Sequence, residues 1–224
     1  MSSNQEFVFE TYPKIYGPFK RFTEGEQKNQ LDRTRWTNPN FEVLRDKEWW
    51  FTEKIDGTNI RVGWDGYRVQ FGGRTDRAET PGDLLATLED MFPEELMEQQ
   101  FGSTPAILFG EGYGAKIQKV GGNYRQDKSF VLFDVKVGKF WLQPADVYDI
   151  RYALGIDAVP GKLQTLDQAI ETVEAGLKSS WAEKEMFAEG LVGTPISGML
   201  NRDGSRIQVK VKHADFFKGD GNEG

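Results

Sequence analysis

Two of the four Asp-Gly steps in this chain constrain it before any other feature. Asp65-Gly66, within Trp64-Asp65-Gly66-Tyr67, interrupts residues 49–71, which read as two or three strands. Asp203-Gly204 precedes Arg206-Ile207-Gln208-Val209-Lys210-Val211-Lys212, where polar and apolar residues alternate. Glycine after aspartate reaches positive φ without a steric penalty. Both steps therefore predict a chain that doubles back as a hairpin, the first through a type I′ turn. Sheets made this way are antiparallel. Two apolar runs, Ala106-Ile107-Leu108-Phe109 and Phe130-Val131-Leu132-Phe133-Asp134-Val135, read as buried strands.

Helical patterns lie between the strands. One is expected over 81–100, with Pro81 and Asp83 at its start and Pro93 breaking or restarting it. A second is expected over 144–154, from Pro144 to a stop at Gly155. A third is expected over 165–179, where Thr165 and Gln168 form a capping box. No linker, repeat or low-complexity tract interrupts the pattern. The expectation is one α+β domain over 1–218, with antiparallel sheets flanked by helices and a disordered tail at 219–224.

Composition narrows the function classes. With 38% hydrophobic and 13% aromatic residues in 224, the chain can bury a substantial core. It has no cysteine, which removes disulfides and thiolate metal sites and fits a reducing compartment. No apolar run approaches membrane-spanning length, and the N-terminus lacks a signal-peptide pattern, so a cytoplasmic protein without membrane contact is expected. The net charge of −7 argues against a generally basic nucleic-acid-coating surface, though not against a local basic groove. The single histidine, His213, excludes histidine triads and multi-histidine metal sites and reads as the cap of a strand end.

Lys54 is the residue whose surroundings suggest chemistry. It follows the apolar run Trp49-Trp50-Phe51 and precedes Ile55-Asp56-Gly57, which suits a lysine at the floor of a pocket. A lysine attacks only as the neutral amine, and neighbouring cations such as Lys210 and Lys212 favour that form. Those two share one face of their strand, because strand side chains alternate. Polar residues also punctuate other apolar segments: Arg74 after Phe71-Gly72-Gly73, Glu111 after Phe109-Gly110, and Glu189 before Gly190-Leu191-Val192. Taken singly, each is most often a solvated side chain.

Taken together and in order, they resemble the covalent nucleotidyltransferases, which comprise polynucleotide ligases and mRNA capping enzymes. The elements are Lys54-Ile55-Asp56-Gly57, Phe109-Gly110-Glu111, Phe130 to Val135, Glu189-Gly190-Leu191-Val192 and Lys210-Val211-Lys212. The stretch Glu53-Lys54-Ile55-Asp56-Gly57-Thr58-Asn59 is most similar to RNA ligases of the RNA ligase 2 type. Gly112 to Lys119, followed by Asn123-Tyr124-Arg125, looks like phage-type or bacterial RNA ligases.

The resemblance implies the fold of a ligase adenylation domain and an ATP-dependent RNA repair ligase. Such an enzyme joins RNA 3′-OH and 5′-phosphate ends through lysyl-AMP and adenylylated RNA. It implies Lys54 as nucleophile, Lys210 and Lys212 as catalytic cations, and Glu189 as the ligand of Mg2+ or Mn2+. Glu53, Asn59, Arg74, Glu111 and Phe133 would complete the nucleotide site, Arg74 and Glu111 on the ribose and Phe133 on the adenine. Asn59, Lys116, Lys119 and Arg125 would contact RNA. A monomer is expected, and one without a C-terminal accessory domain, since only a dozen residues follow Lys212. The alternatives are a DNA ligase, a GTP-dependent capping guanylyltransferase, and a non-catalytic nucleic-acid end-binding module.

Overall fold

The computed structural model describes residues 7–75 and 80–217. Strands β1 (Phe19–Arg21) and β2 (Leu31–Trp36) come first, then helix α1 (Pro39–Leu44). β3 (Trp49–Glu53), β4 (Thr58–Trp64) and β5 (Val69–Gly72) follow. Helices α2 (Gly82–Met91) and α3 (Glu94–Phe101) lead to β6 (Ala106–Gly114), α4 (Gly121–Tyr124) and β7 (Lys128–Val137). β8 (Phe140–Trp141), α5 (Pro144–Leu154), β9 (Asp157–Ala158), β10 (Gly161–Gln164) and α6 (Leu166–Glu174) come next. β11 (Gly190–Pro195), β12 (Val209–Lys212) and a 3₁₀ turn at His213–Asp215 close the described chain. The α+β class expected from the sequence holds.

The chain divides into two compact units. The first combines Met1–Pro13 with Asp56–Val159, the second Lys14–Ile55 with Pro160–Gly224. The span read as one domain over 1–218 thus holds two hydrophobic clusters, one in each unit. The tail expected at 219–224 lies outside the described residues.

The first unit is built on a sheet in the order β5-β4-β6-β7-β8, with β9 parallel to β7. One face carries Ile60, Val62, Leu108, Phe130 and Leu132, all fully buried against Leu84 and Leu88 of α2 and Met97 of α3. Full burial of each such side chain contributes about 1.5–3 kcal/mol. Pro93 ends the first helical pattern and restarts it, so the stretch 81–100 forms two helices rather than one. The Asp65-Gly66 step does form a hairpin, with Asp65 and Arg68 paired around Gly66 and Tyr67, but not through a type I′ turn, which needs positive φ at both central residues. Only its glycine takes positive φ, and the Asp65 carboxylate instead accepts from the amides of Tyr67 and Arg68, both at 2.8 Å.

The second unit is built on the antiparallel sheet β10-β3-β11-β12. Trp49, Phe51, Leu191, Val209 and Val211 face a core completed by α1 and α6. Trp49 Nε1 donates to the Leu44 carbonyl at 2.9 Å, which satisfies its buried N–H. The Thr165–Gln168 capping box forms as expected, yet α6 ends at Glu174 instead of 179. The chain turns there through Gly176 at φ 88°. Among the described residues, no helix is long and apolar enough to cross a membrane.

Candidate active site

Alternation along β3 buries Trp49, Phe51 and Glu53 and leaves Trp50 and Thr52 toward the other face. Lys54 continues that second series. Its amide donates to the Gly190 carbonyl at 2.8 Å, so the β3–β11 ladder runs one residue past the strand. β12 obeys the same rule, burying Val209 and Val211 and half-exposing Lys210 and Lys212. The register pairs Leu191 with Glu53 and Gly190 with Lys212, which brings the ends of three adjacent strands together.

Glu189 does not follow from this alternation. Two residues before core-facing Leu191, it should point inward. Gly190 interrupts the series at φ 150°, and a Cβ there would lie 2.0 Å from the Val211 carbonyl oxygen. Only glycine fits, and the chain entering β11 is re-aimed. Glu189 Oε2 then lies 2.5 Å from Lys54 Nζ, and Oε1 lies 3.2 Å from Lys212 Nζ. One carboxylate thus bridges two lysines, each a quarter to a third exposed. Half-exposed Lys210 shares the strand face of Lys212.

Glu53 is 8% exposed, and its carboxylate is fully engaged within the unit. It accepts from Ser179 Oγ at 2.5 Å, from the Ser180 amide at 2.8 Å and from Ser180 Oγ at 2.9 Å. These bonds clamp the residue next to Lys54. Neither Ser179 nor Ser180 stands out in the sequence, where the helical pattern extends over 165–179.

In the first unit, Gly57 lies so close to β6 that a Cβ would meet the Gly112 carbonyl oxygen at 2.3 Å and Glu111 Cγ at 2.8 Å. That close approach is the physical reason for glycine three residues after Lys54. Asn59 pairs in register with Glu111, and both are half-buried. The side-chain oxygen of Asn59 is buried without a hydrogen-bond partner among the described residues. An acceptor left so is costly unless something else satisfies it. Phe133 is half-buried on β7 and Arg74 is exposed.

Lys116 and Lys119 are exposed, and Lys116 holds a left-handed backbone at φ 68°. Arg125 is held by Asp127 through two contacts, at 2.6 and 2.7 Å, and donates to the Tyr113 hydroxyl at 3.4 Å. The Asp127 hydrogen bonds hold the guanidinium charged, its pKa raised above the ordinary arginine value.

Residues 47–212 match the family model for RNA ligase. The chain belongs to the RNA ligase family. Among curated proteins nothing matches. Solved structures of Naegleria gruberi RNA ligase share the fold. An apo mutant superposes with TM-score 0.62 at 20% identity, covering 80% of this chain and 53% of that one. A mutant with ATP and Mn gives 0.62 at 20%, covering 82% and 55%. The form with PPi gives 0.61 at 20%, covering 95% and 60%. This RNA ligase family member therefore spans little more than half the length of those chains.

His213, the residue after the Lys-x-Lys pair, is stacked between Phe187 and Phe217, with ring centroids 4.8 and 4.1 Å away. Its Nδ1 is buried without a partner among the described residues, and burial lowers the pKa of the ring below the usual 6.5. The unfolded chain therefore binds the proton more readily than the folded one. The stability contributed by neutral His213 is complete above about pH 6.5 and is lost as pH falls below it. His213→Phe should flatten this part of a Tm-against-pH curve between 7 and 5 relative to the parent. Parallel curves would remove His213 as the cause.

Proposed function

We propose that this chain is an ATP-dependent RNA ligase, with residues 1–218 as its adenylation domain. The observation that carries the reading is the Lys54–Glu189–Lys212 cluster, set at the ends of adjacent strands in a member of the RNA ligase family. Lys54 Nζ attacks the α-phosphorus of ATP. A P–N bond forms, the bond to the β-phosphate oxygen breaks, pyrophosphate leaves with the electron pair, and the amine proton goes to solvent. A 5′-phosphate oxygen of RNA then takes AMP from Lys54. Finally a 3′-OH attacks the activated phosphate and AMP departs.

Each residue has work in this scheme. Lys210 and Lys212 offset the charge that builds on the α-phosphate oxygens. The Ser179 and Ser180 bonds to Glu53 keep the backbone beside the nucleophile rigid. Asn59 offers its unpaired oxygen to a hydroxyl of the nucleotide or of the RNA end. Glu111 and Arg74 take the ribose and Phe133 stacks on the base. Lys116, Lys119 and Arg125 meet RNA phosphates, a salt-sensitive contribution.

Glu189 suits a hard divalent cation. Among the described residues no group of three or more acidic, histidine or cysteine side chains gathers to cage a metal. Magnesium is ordinarily held by one or two protein carboxylates together with substrate phosphates, so a single glutamate fits that role. Such an ion, magnesium or manganese, would supply charge stabilisation to the transferring phosphoryl group.

The test is incubation of the protein with each α-labelled nucleoside triphosphate and magnesium, followed by a denaturing gel. A protein band from ATP alone is expected. A band from GTP alone would indicate capping chemistry, and no band from any nucleotide would indicate a non-catalytic module. Pre-adenylylated strands offered to RNA or DNA 3′-OH ends separate RNA from DNA ligation.

A further inference from the structure

The face of the first unit's sheet opposite its helices is covered by residues far away in sequence. Arg61 is 1% exposed, donates to the Phe9 carbonyl at 2.8 Å and sets its guanidinium 4.4 Å from the Phe9 ring centroid. Lys136 pairs with Glu10 at 2.5 Å. Tyr12 donates its hydroxyl to Asp134 Oδ2 at 2.8 Å, and Asp134 is 6% exposed. Three successive anchors thus hold residues 9–12 as a strap across β4, β6 and β7.

The strap ends beside an irregularity. β6 and β7 pair Phe109 with Asp134 and then Gly110 with Leu132, so Phe133 has no residue opposite it. Such a bulge re-aims a side chain, and the ladder no longer fixes its direction. Packing must do so instead. Tyr12 lies edge-on to Phe133, with ring centroids 5.2 Å apart at 77°. Tyr12 is itself wedged against Phe109 at 5.0 Å and Trp141 at 5.8 Å. Its hydroxyl reaches the carboxylate of the residue that follows Phe133.

We infer that Tyr12 is a positioning residue for the nucleobase. Held by Asp134, it sets the bulged Phe133 ring in the orientation that receives the purine. Tyr12 is then part of the nucleotide site, while Phe9 and Glu10 only fasten the strap to the sheet. This rests on the reading of Phe133 as the stacking residue. Tyr12 acts through Phe133, so its loss weakens nucleotide affinity and leaves the attack by Lys54 largely intact.

The test measures self-adenylylation against ATP concentration, with Tm recorded for each variant. Tyr12→Ala should raise the KM for ATP about tenfold, with the rate at saturating ATP within about threefold of the parent. Tyr12→Phe keeps the ring and loses the anchor, and should raise KM about two- to threefold. Asp134→Asn should do the same, and the double variant Tyr12→Phe with Asp134→Asn should lose no more than either alone. Phe9→Ala loosens the strap elsewhere and should lower Tm while leaving KM unchanged. An unchanged KM in folded Tyr12→Ala overturns the inference, as does an equal rise in Phe9→Ala. If Tyr12→Ala does not fold, Tyr12→Phe and Asp134→Asn decide the matter through the same KM. A parent protein that takes no label from ATP would overturn the nucleotide-site reading beneath it, and is recognised before any variant is made.

Discussion

Lys54→Arg should leave no covalent AMP on the protein, and Lys54→Ala should behave identically. Arginine preserves the positive charge and much of the length, and it can still pair with Glu189, which lies 2.5 Å from Lys54 Nζ. It cannot lose its proton at working pH, so it offers no lone pair to phosphorus. The substitution therefore separates charge from nucleophilicity at one position. Lys54 is about a quarter exposed and contributes nothing to either hydrophobic cluster. A partly exposed pair of this kind contributes about 1 kcal/mol or less to stability, so Tm should barely move. The measurement is label from α-labelled ATP on a denaturing gel, beside a thermal melt. A labelled band in Lys54→Arg would remove Lys54 as the nucleophile.

Glu189→Gln should slow self-adenylylation by about 10²–10³-fold with the fold intact, a loss typical of removing one electrostatic group from a transition state. Glutamine keeps the shape and the backbone bond from the His213 amide to the Glu189 carbonyl, at 2.9 Å. What it removes is the negative charge between Lys54 and Lys212. In the proposed enzyme it also removes the carboxylate that would hold a divalent ion. The parent should therefore be inactive in excess EDTA and recover with magnesium or manganese. The variant should recover poorly at any metal concentration. Full parent activity in EDTA, or a Glu189→Gln variant as fast as the parent, would end this assignment.

What could be read from the chain was local. Alternation in residues 206–212 announced the face that Lys210 and Lys212 share, because side chains on a strand alternate whatever the strand packs against. Pro93, Pro144 and the Thr165–Gln168 box marked helix ends, since proline geometry and capping bonds depend on a few neighbouring residues. The motifs around Lys54, Glu111, Phe133, Glu189 and Lys210 were legible as a series in order, and the family match over 47–212 agrees with that series.

What the tertiary structure decided was pairing at a distance. Residues 49–71 read as consecutive strands, yet β3 belongs to one sheet and β4 and β5 to another, with the unit boundary between Ile55 and Asp56. Nothing in the local pattern distinguishes a hairpin neighbour from a strand that leaves, because both bury alternate residues. The Glu189 bridge depends on Gly190 lying against the Val211 carbonyl, and the clamp on Glu53 depends on Ser179 and Ser180, which lie far along the chain. The bulge at Phe133 and the strap through Tyr12 are also products of register and long-range contact. Sequence sets which residue types can carry the chemistry, while ladder register and packing set which of them meet, because those contacts are fixed only when distant segments close together.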